Sequence, residues 1–136
     1  MTNQVWINLP VKNLEKSLEF YKNIGFRVTS HMNGQAGIQM GEAPIQFMLF
    51  PESTFKGFTQ NAILDYKKGT EVLFSIGADS RDEVDKMAFL AKEAGGQLYE
   101  EPSEHDGWMY GCGMIDLDGH RWNVLYMDME KHKKNL

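Results

Sequence analysis

Apolar and polar positions alternate along VWINLPV at 5–11: Val5, Ile7, Leu9 and Val11 fall on one side, Trp6 and Asn8 on the other. A period of two with β-branched residues predicts a strand. Pro10 lacks a ladder donor and so predicts an edge position or a strand end. The period then lengthens. Asn13 offers a helix N-cap, Leu14, Leu18 and Tyr21 form a stripe flanked by Phe20 and Ile24, and Gly25 suits the left-handed position after the last turn. FRVTSHM predicts a second strand. The β-prone runs of AGIQMGEAPIQFMLF at 36–50 predict a hairpin that turns at GEAP.

Residues 51–69 show no clean period, which predicts a connection or a binding loop. The earlier pattern then starts again. In TEVLFSIGA at 70–78, Val72, Phe74 and Ile76 share one face and Glu71, Leu73 and Ser75 the other. Ser80 with Glu83 forms a capping box. Val84, Met87, Ala88, Ala91 and Ala94 make the helix stripe, ended by Gly95 and Gly96. QLYEEP reads as a strand, EHDGWMYGCG as a glycine-rich lid, and GMIDLDGHRWNVLYMD as a hairpin turning at Asp118-Gly119.

This organisation predicts one α+β domain over 1–136. A first βαβββ module covers 1–50, a linker or lid 51–69, a second module 70–129 and a tail 130–136. Each helix can cover only one sheet face. Two such modules forming one cup-shaped mixed sheet would leave an inner surface that suits a small molecule.

Charge and composition narrow the partners. The net charge is −5, and no Lys/Arg stripe lies on a predicted helix. That argues against nucleic acid and against an anionic membrane surface. No apolar run approaches the length of a membrane span. The N-terminus lacks the pattern of a secretory signal. The single cysteine, Cys112, forms no intrachain disulfide, and a reducing, cytoplasmic compartment is expected.

The stretches NLPVKNLEKSLEFYKNIGF, TEVLFSIGADSRDEVD with AGG, and MYG with DLDGHRWNV resemble, in order and spacing, the vicinal oxygen chelate superfamily. That superfamily includes glyoxalase I, the fosfomycin- and bleomycin-resistance proteins and the extradiol dioxygenases. NLPVKNLEKS, GTEVLFSIGADSRDEVD and HDGWMYG are similar to a branch described as predicted lactoylglutathione lyases. The resemblance implies a homodimer and a divalent metal held by the first and last strands of each module. Carried over by position, the slots of the first module fall on Trp6 and on Phe47, or on Gln46 one position away. Those of the second fall on Glu71 and Asn123. Trp and Phe cannot ligate a cation and Asn is a weak neutral donor. The expectation is therefore that there is no metal ligand set and no metal cofactor.

Two functions of different class follow. One is a glyoxalase-type lyase or isomerase acting on a small carbonyl or thiol adduct. Glu71 would be its base, with Asn123, Tyr110 and His105 as further catalytic candidates. The other is a metal-free drug- or metabolite-binding protein of the bleomycin-resistance type. Trp6, Asn8, Phe47, Leu73, Trp108 and Met127 would line its ligand site. Glu71 reads equally well as one partner of a rim ion pair, Trp6 and Phe47 as core packing, and His105 as a surface histidine. Cys112 has no evident base partner and reads as a buried filler. His120 follows the turn and braces it. Met40, Met48, Met109, Met114 and Met127 read as pocket lining or as plain core.

Overall fold

The computed structural model of the protein describes residues 4–134. Residues 1–3, where the first module begins, and 135–136, the end of the tail, lie outside the described residues. The chain divides into two compact units, Met1–Asp65 and Tyr66–Leu136.

The first unit runs β1 (Trp6–Val11), α1 (Leu14–Asn23), β2 (Arg27–Met32), β3 (Gln35–Gln39), β4 (Gln46–Pro51) and α2 (Glu52–Thr59). Its four strands form a sheet in the order β1-β4-β3-β2. β1 and β4 are parallel, and the other neighbours are antiparallel. Pro10 therefore sits on an edge strand, where its missing donor costs least. The side chain of Asn13 accepts the N–H of Lys16 at 3.1 Å and caps α1. Gly25, at φ 113°, ends it, with Phe26 N–H returning to the carbonyl of Tyr21. Leu18, Phe20, Tyr21 and Ile24 of that helix are buried with Leu9, Val11, Ile38, Phe47 and Leu49 of the sheet. Large apolar side chains buried in this way contribute on the order of 2 kcal/mol each. The aperiodic stretch after β4 holds a short helix, α2, whose Phe58 packs edge-on against Phe50 at 5.1 Å. Two turns of helix bury too few residues to show a stripe, so periodicity missed it.

The second unit repeats the order: β5 (Leu73–Gly77), α3 (Arg81–Glu93), β6 (Gln97–His105), β7 (Met109–Ile115), β8 (Arg121–Met127) and α4 (Met129–Lys134). Its sheet order is β5-β8-β7-β6. β5 and β8 are parallel, with Ser75 beside Asn123. The capping box is present: Ser80 Oγ accepts the N–H of Glu83 at 3.1 Å, and the Glu83 carboxylate accepts the N–H of Asp79 at 3.0 Å. Val84, Met87, Ala88 and Ala91 bury their stripe on the sheet with Cys112, Met114, Trp122 and Val124. The second sheet thus has one face under α3 and one helix-free face, while in the first sheet α1 covers one face and Phe58 of α2 packs on Phe50 of β4. Part of the sequence read as a solvated tail is the helix α4. Among the described residues no helix is long and apolar enough to cross a membrane.

The glycine-rich segment 104–113 is mostly strand rather than an open lid. Asp106 and Gly107 both have positive φ, 55° and 76°, and Trp108 N–H bonds to the carbonyl of His105. They make a two-residue hairpin turn, which an Asp-Gly pair favours. Gly111 and Gly113 lie inside β7, where neighbouring side chains need the space of an absent Cβ.

Both sheets carry the same device. β2 is bulged between Val28 and Ser30 opposite Gly37, and β6 is bulged between Leu98 and Glu100 opposite Gly113. In the first unit Thr29, Ser30 and Gln46 gather over Gly37, and Gln46 Nε2 donates to Thr29 Oγ1. In the second unit the ring of Tyr99 fills the equivalent space over Gly113.

Removing the α3 cap tests the local account. Ser80→Ala should cost about 1 kcal/mol, read as a lower urea midpoint at unchanged slope, and Ser80→Asp should recover most of it. An unchanged midpoint in Ser80→Ala would contradict the capping role.

Candidate functional site

The side-chain period of two sorts β8 into two sets. Trp122 and Val124 face α3 and are buried, Trp122 against Phe74 at 4.9 Å. Arg121, Asn123, Leu125 and Met127 take the helix-free face, beside Leu73, Ser75 and Gly77 of β5. Across β7 the same face presents Met109, Gly111, Gly113 and Ile115. Because Gly113 has no side chain, Tyr99 can lie over the sheet from β6 and reach β8. Its hydroxyl donates to Asn123 Oδ1 at 2.5 Å and lies 3.4 Å from the carbonyl of Trp122. The Arg121 guanidinium stands 4.8 Å from the centre of the Tyr99 ring. Burial pushes the Tyr99 hydroxyl above the ordinary tyrosine range, against the pull of Arg121, so at neutral pH it stays a donor. The hydrogen bond sets the Asn123 oxygen toward Tyr99 and leaves its NH2 as the end available to donate elsewhere.

A second polar group lies further along β6. His105 Nε2 is 2.5 Å from Glu100 Oε1, and Ser103 Oγ donates to the same carboxylate at 3.0 Å. This histidine and carboxylate could hold or pass a proton.

At the other end of the face, where Gln97, Ile115 and Arg121 stand abreast on three strands, a cavity of about 380 Å³ opens. Gly95, Asp116, Leu117 and Gly119 complete its floor and rim, with Tyr66 and Lys67 from the segment before β5. Gly119, at φ 98°, permits this approach, since a Cβ there would stand 2.9 Å from that of Tyr66. The Tyr66 ring rests on His120 at 4.5 Å. Burial, then the charge of Glu71, raises its hydroxyl pKa. Asp116 Oδ1 accepts the N–H groups of Asp118 and His120 at 2.9 and 2.8 Å, which fixes the β7–β8 turn.

The structure separates several residues the sequence grouped. Glu71 is exposed and lies ahead of β5 rather than within it. Tyr110 is on the α3 side of β7, where its hydroxyl donates to Asp85 at 2.6 Å under Arg81, and this hydrogen bond raises its pKa. Trp108 sits in the β6–β7 turn, its ring 3.9 Å from that of His132. Leu73 and Met127 lie on the helix-free face of the second sheet, both exposed. In the first unit Trp6 is 55 % exposed and Asn8 exposed, on the face that also carries Met48. Phe47 is buried on the opposite face with Ile7 and Ile38 as strand neighbours. Register makes Met48 the first-unit counterpart of Asn123, since Asn8 and Gly37 pair with Met48 as Ser75 and Gly113 pair with Asn123.

The donors at these positions do not fit a divalent cation. In the first unit an indole, a buried phenyl or a thioether offers no hard ligand, and Gln46, one position away, is a neutral amide whose Nε2 donates to Thr29. In the second unit Asn123 is a weak neutral donor whose oxygen already accepts from Tyr99, and Glu71 is exposed ahead of β5. Among the described residues no three His, Cys, Asp or Glu side chains gather to share an ion.

Sequence reading missed Tyr99, Glu100 and Arg121. Arg121 was accessible, two residues before Asn123 on an alternating strand. Tyr99 and Glu100 were not, because a bulge breaks the period of two at that point.

Residues 3–124 match the family model described as Glyoxalase/Bleomycin resistance protein/Dioxygenase superfamily. The fold is similar to that of a hypothetical protein from S. aureus, with 36% identity over 93% of this chain and 94% of that one and a TM-score of 0.83. It is also similar to a glyoxalase-related enzyme from Fulvimarina pelagi, at 18% identity over 93% and 88% of the two chains and a TM-score of 0.78. A third similar structure is a glyoxalase/bleomycin resistance protein/dioxygenase family enzyme from Burkholderia phytofirmans, at 19% identity, 90% and 96% coverage and a TM-score of 0.73. No curated protein matches the chain at a significant level.

Cys112, buried on the α3 side of β7, has its thiol pushed up to about 11 by burial, with Asp85, Glu100 and Glu101 adding to the shift. A group whose folded pKa exceeds its unfolded value, here 9.0, costs stability as pH rises between the two. Unfolding free energy should therefore fall from about pH 9 toward pH 11, and Cys112→Ala should reduce that fall. Denaturant midpoints measured against pH check this, and a thiol readily alkylated in the native protein at pH 7 would contradict it.

Proposed function

We propose that this chain, which belongs to the glyoxalase/bleomycin resistance protein/dioxygenase superfamily, binds a small molecule on the helix-free face of its second sheet without a divalent metal. The observation that carries this reading is the Tyr99–Asn123 hydrogen bond over Gly113. It occupies the amide oxygen, fixes the amide orientation and presents its NH2 beside an aromatic ring and a guanidinium. An amide donor fixed by a second side chain orients a ligand at little entropic cost. Leu73, Leu125 and Met127 supply adaptable apolar contact around it. The reading places the protein with binding members of its superfamily, of the bleomycin-resistance type. It also includes a homodimer, supported by the exposed Trp6, Val72 and Leu73, and a reducing, cytoplasmic location, which a lone cysteine suits.

One observation favours a second reading, a lyase or isomerase. His105 and Glu100 are in direct contact, an arrangement suited to moving a proton next to a carbonyl. The reading extends to chemistry of lactoylglutathione-lyase type, on the sequence resemblance. In that reading His105 carries the proton, Glu100 holds its ring, and the Asn123 amide with Arg121 steadies developing negative charge on the substrate oxygen. Glu71, exposed ahead of β5, is left out of that chemistry.

Titration with 6-propionyl-2-(dimethylamino)naphthalene, a neutral fluorescent probe whose ketone oxygen can accept from the Asn123 amide, separates the readings. Saturable binding at one site per chain should persist in EDTA and weaken about tenfold in Asn123→Ala, the effect of losing one ligand hydrogen bond. Binding that needs added nickel or zinc, or that is unchanged in Asn123→Ala, would contradict the proposal. Turnover of methylglyoxal–glutathione hemithioacetal that is lost in His105→Gln would favour the enzyme.

A further inference from the structure

A residue that lines the cavity at the end of the second sheet carries a polar atom with no partner. Arg121 Nε is shut off from solvent and makes no hydrogen bond among the described residues. A buried donor left unpaired is costly, most of all on a charged group. The remaining contact of this guanidinium that the structure records is with the face of Tyr99, which satisfies charge but not the N–H. The residue lines a cavity of about 380 Å³, within the range of metabolite sites.

The lining of the cavity carries two cations against one carboxylate, with the charge of Glu71 acting on Tyr66 from nearby. Lys67 and Arg121 are its cationic lining residues, and Tyr66 adds a hydroxyl that burial and Glu71 keep protonated. Its one lining carboxylate, Asp116, already accepts two backbone N–H groups. Arg121 offers the planar fork that matches a carboxylate bidentately. Its position on β8, two residues before Asn123 on the same face and over the Tyr99 ring, puts the cavity beside the Tyr99–Asn123 surface.

We propose that this cavity is an anchoring site for the carboxylate of a small organic acid. The acid group pairs with Arg121 under Tyr66 and Lys67, and the body of the ligand extends along the sheet over Tyr99 toward Asn123. The inference deepens the binding reading above and rests on it only for the second half, where the ligand body lies.

The test uses benzoate and phenylacetate as probes, with benzamide as the uncharged isostere of benzoate, followed by amide chemical-shift changes in the full chain. Both acids should shift resonances of 66–67, 95–97 and 115–121 at millimolar concentration, and benzamide should bind about tenfold or more weakly. Arg121→Gln should abolish the preference for the acid over the amide, and Lys67→Gln should reduce it. If Arg121→Gln does not fold, the wild-type shift map and the Lys67→Gln comparison still decide. No shift with either acid, shifts confined to residues elsewhere, or equal binding of benzoate and benzamide would overturn the proposal. Acid-dependent shifts around Arg121 with 6-propionyl-2-(dimethylamino)naphthalene binding that ignores Asn123 would leave the anion site standing and remove the reading of the wider face.

Discussion

Tyr99 lies across Gly113 and donates its hydroxyl to Asn123, and the chemistry of the second sheet depends on that contact. Three separate features make it possible. The bulge in β6 turns the tyrosine onto the helix-free face. The glycine in β7 leaves room for its ring. The parallel pairing of β5 with β8 places Asn123 beside Ser75, a neighbour too small to cover it. A side chain at position 113 or a regular β6 would remove the tyrosine, leave the amide orientation unfixed and expose the guanidinium of Arg121 to water.

The same bulge and glycine in the first unit hold Thr29, Ser30 and Gln46. One backbone plan, used twice, has thus been filled with small polar groups in one unit and with an aromatic ring in the other. The substitution changes what the face can bind. Hydroxyls and amides that satisfy one another make a closed polar patch. A ring held by one hydrogen bond presents an apolar surface and frees a neighbouring amide donor. The difference also bears on the metal positions implied by family resemblance. Met48 stands where Asn123 stands in the second sheet, and Asn123 itself is committed to Tyr99.

Much of the architecture was legible in the sequence because its causes are local. Alternation in VWINLPV and HRWNVLYM gives the strand faces, Asn13 and Ser80 the helix starts, and Gly25 and Gly95 their ends. The site was legible only where those local rules continue without a break. Asn123 was found because Trp122 and Val124 around it keep the period. Phe47 was assigned to the ligand wall because GEAP left the phase of β4 open by one residue, and the structure buries it beside Leu49. Tyr99 and Glu100 were hidden by a bulge, and the lid dissolved into strands because glycines that accommodate neighbours look the same in sequence as glycines that flex. The Arg121 cavity depends on Tyr66 reaching Gly119 across some fifty residues, and no spacing rule registers such a meeting.

Intermolecular NOEs from a bound small molecule to the side-chain amide protons of Asn123 test the central claim most directly. With 6-propionyl-2-(dimethylamino)naphthalene bound in the presence of EDTA, the account predicts contacts to those protons and to the Tyr99 ring. Contacts instead to Cys112, Met114 or the α3 side of the sheet, or contacts to Asn123 that vanish when EDTA is added, would contradict it.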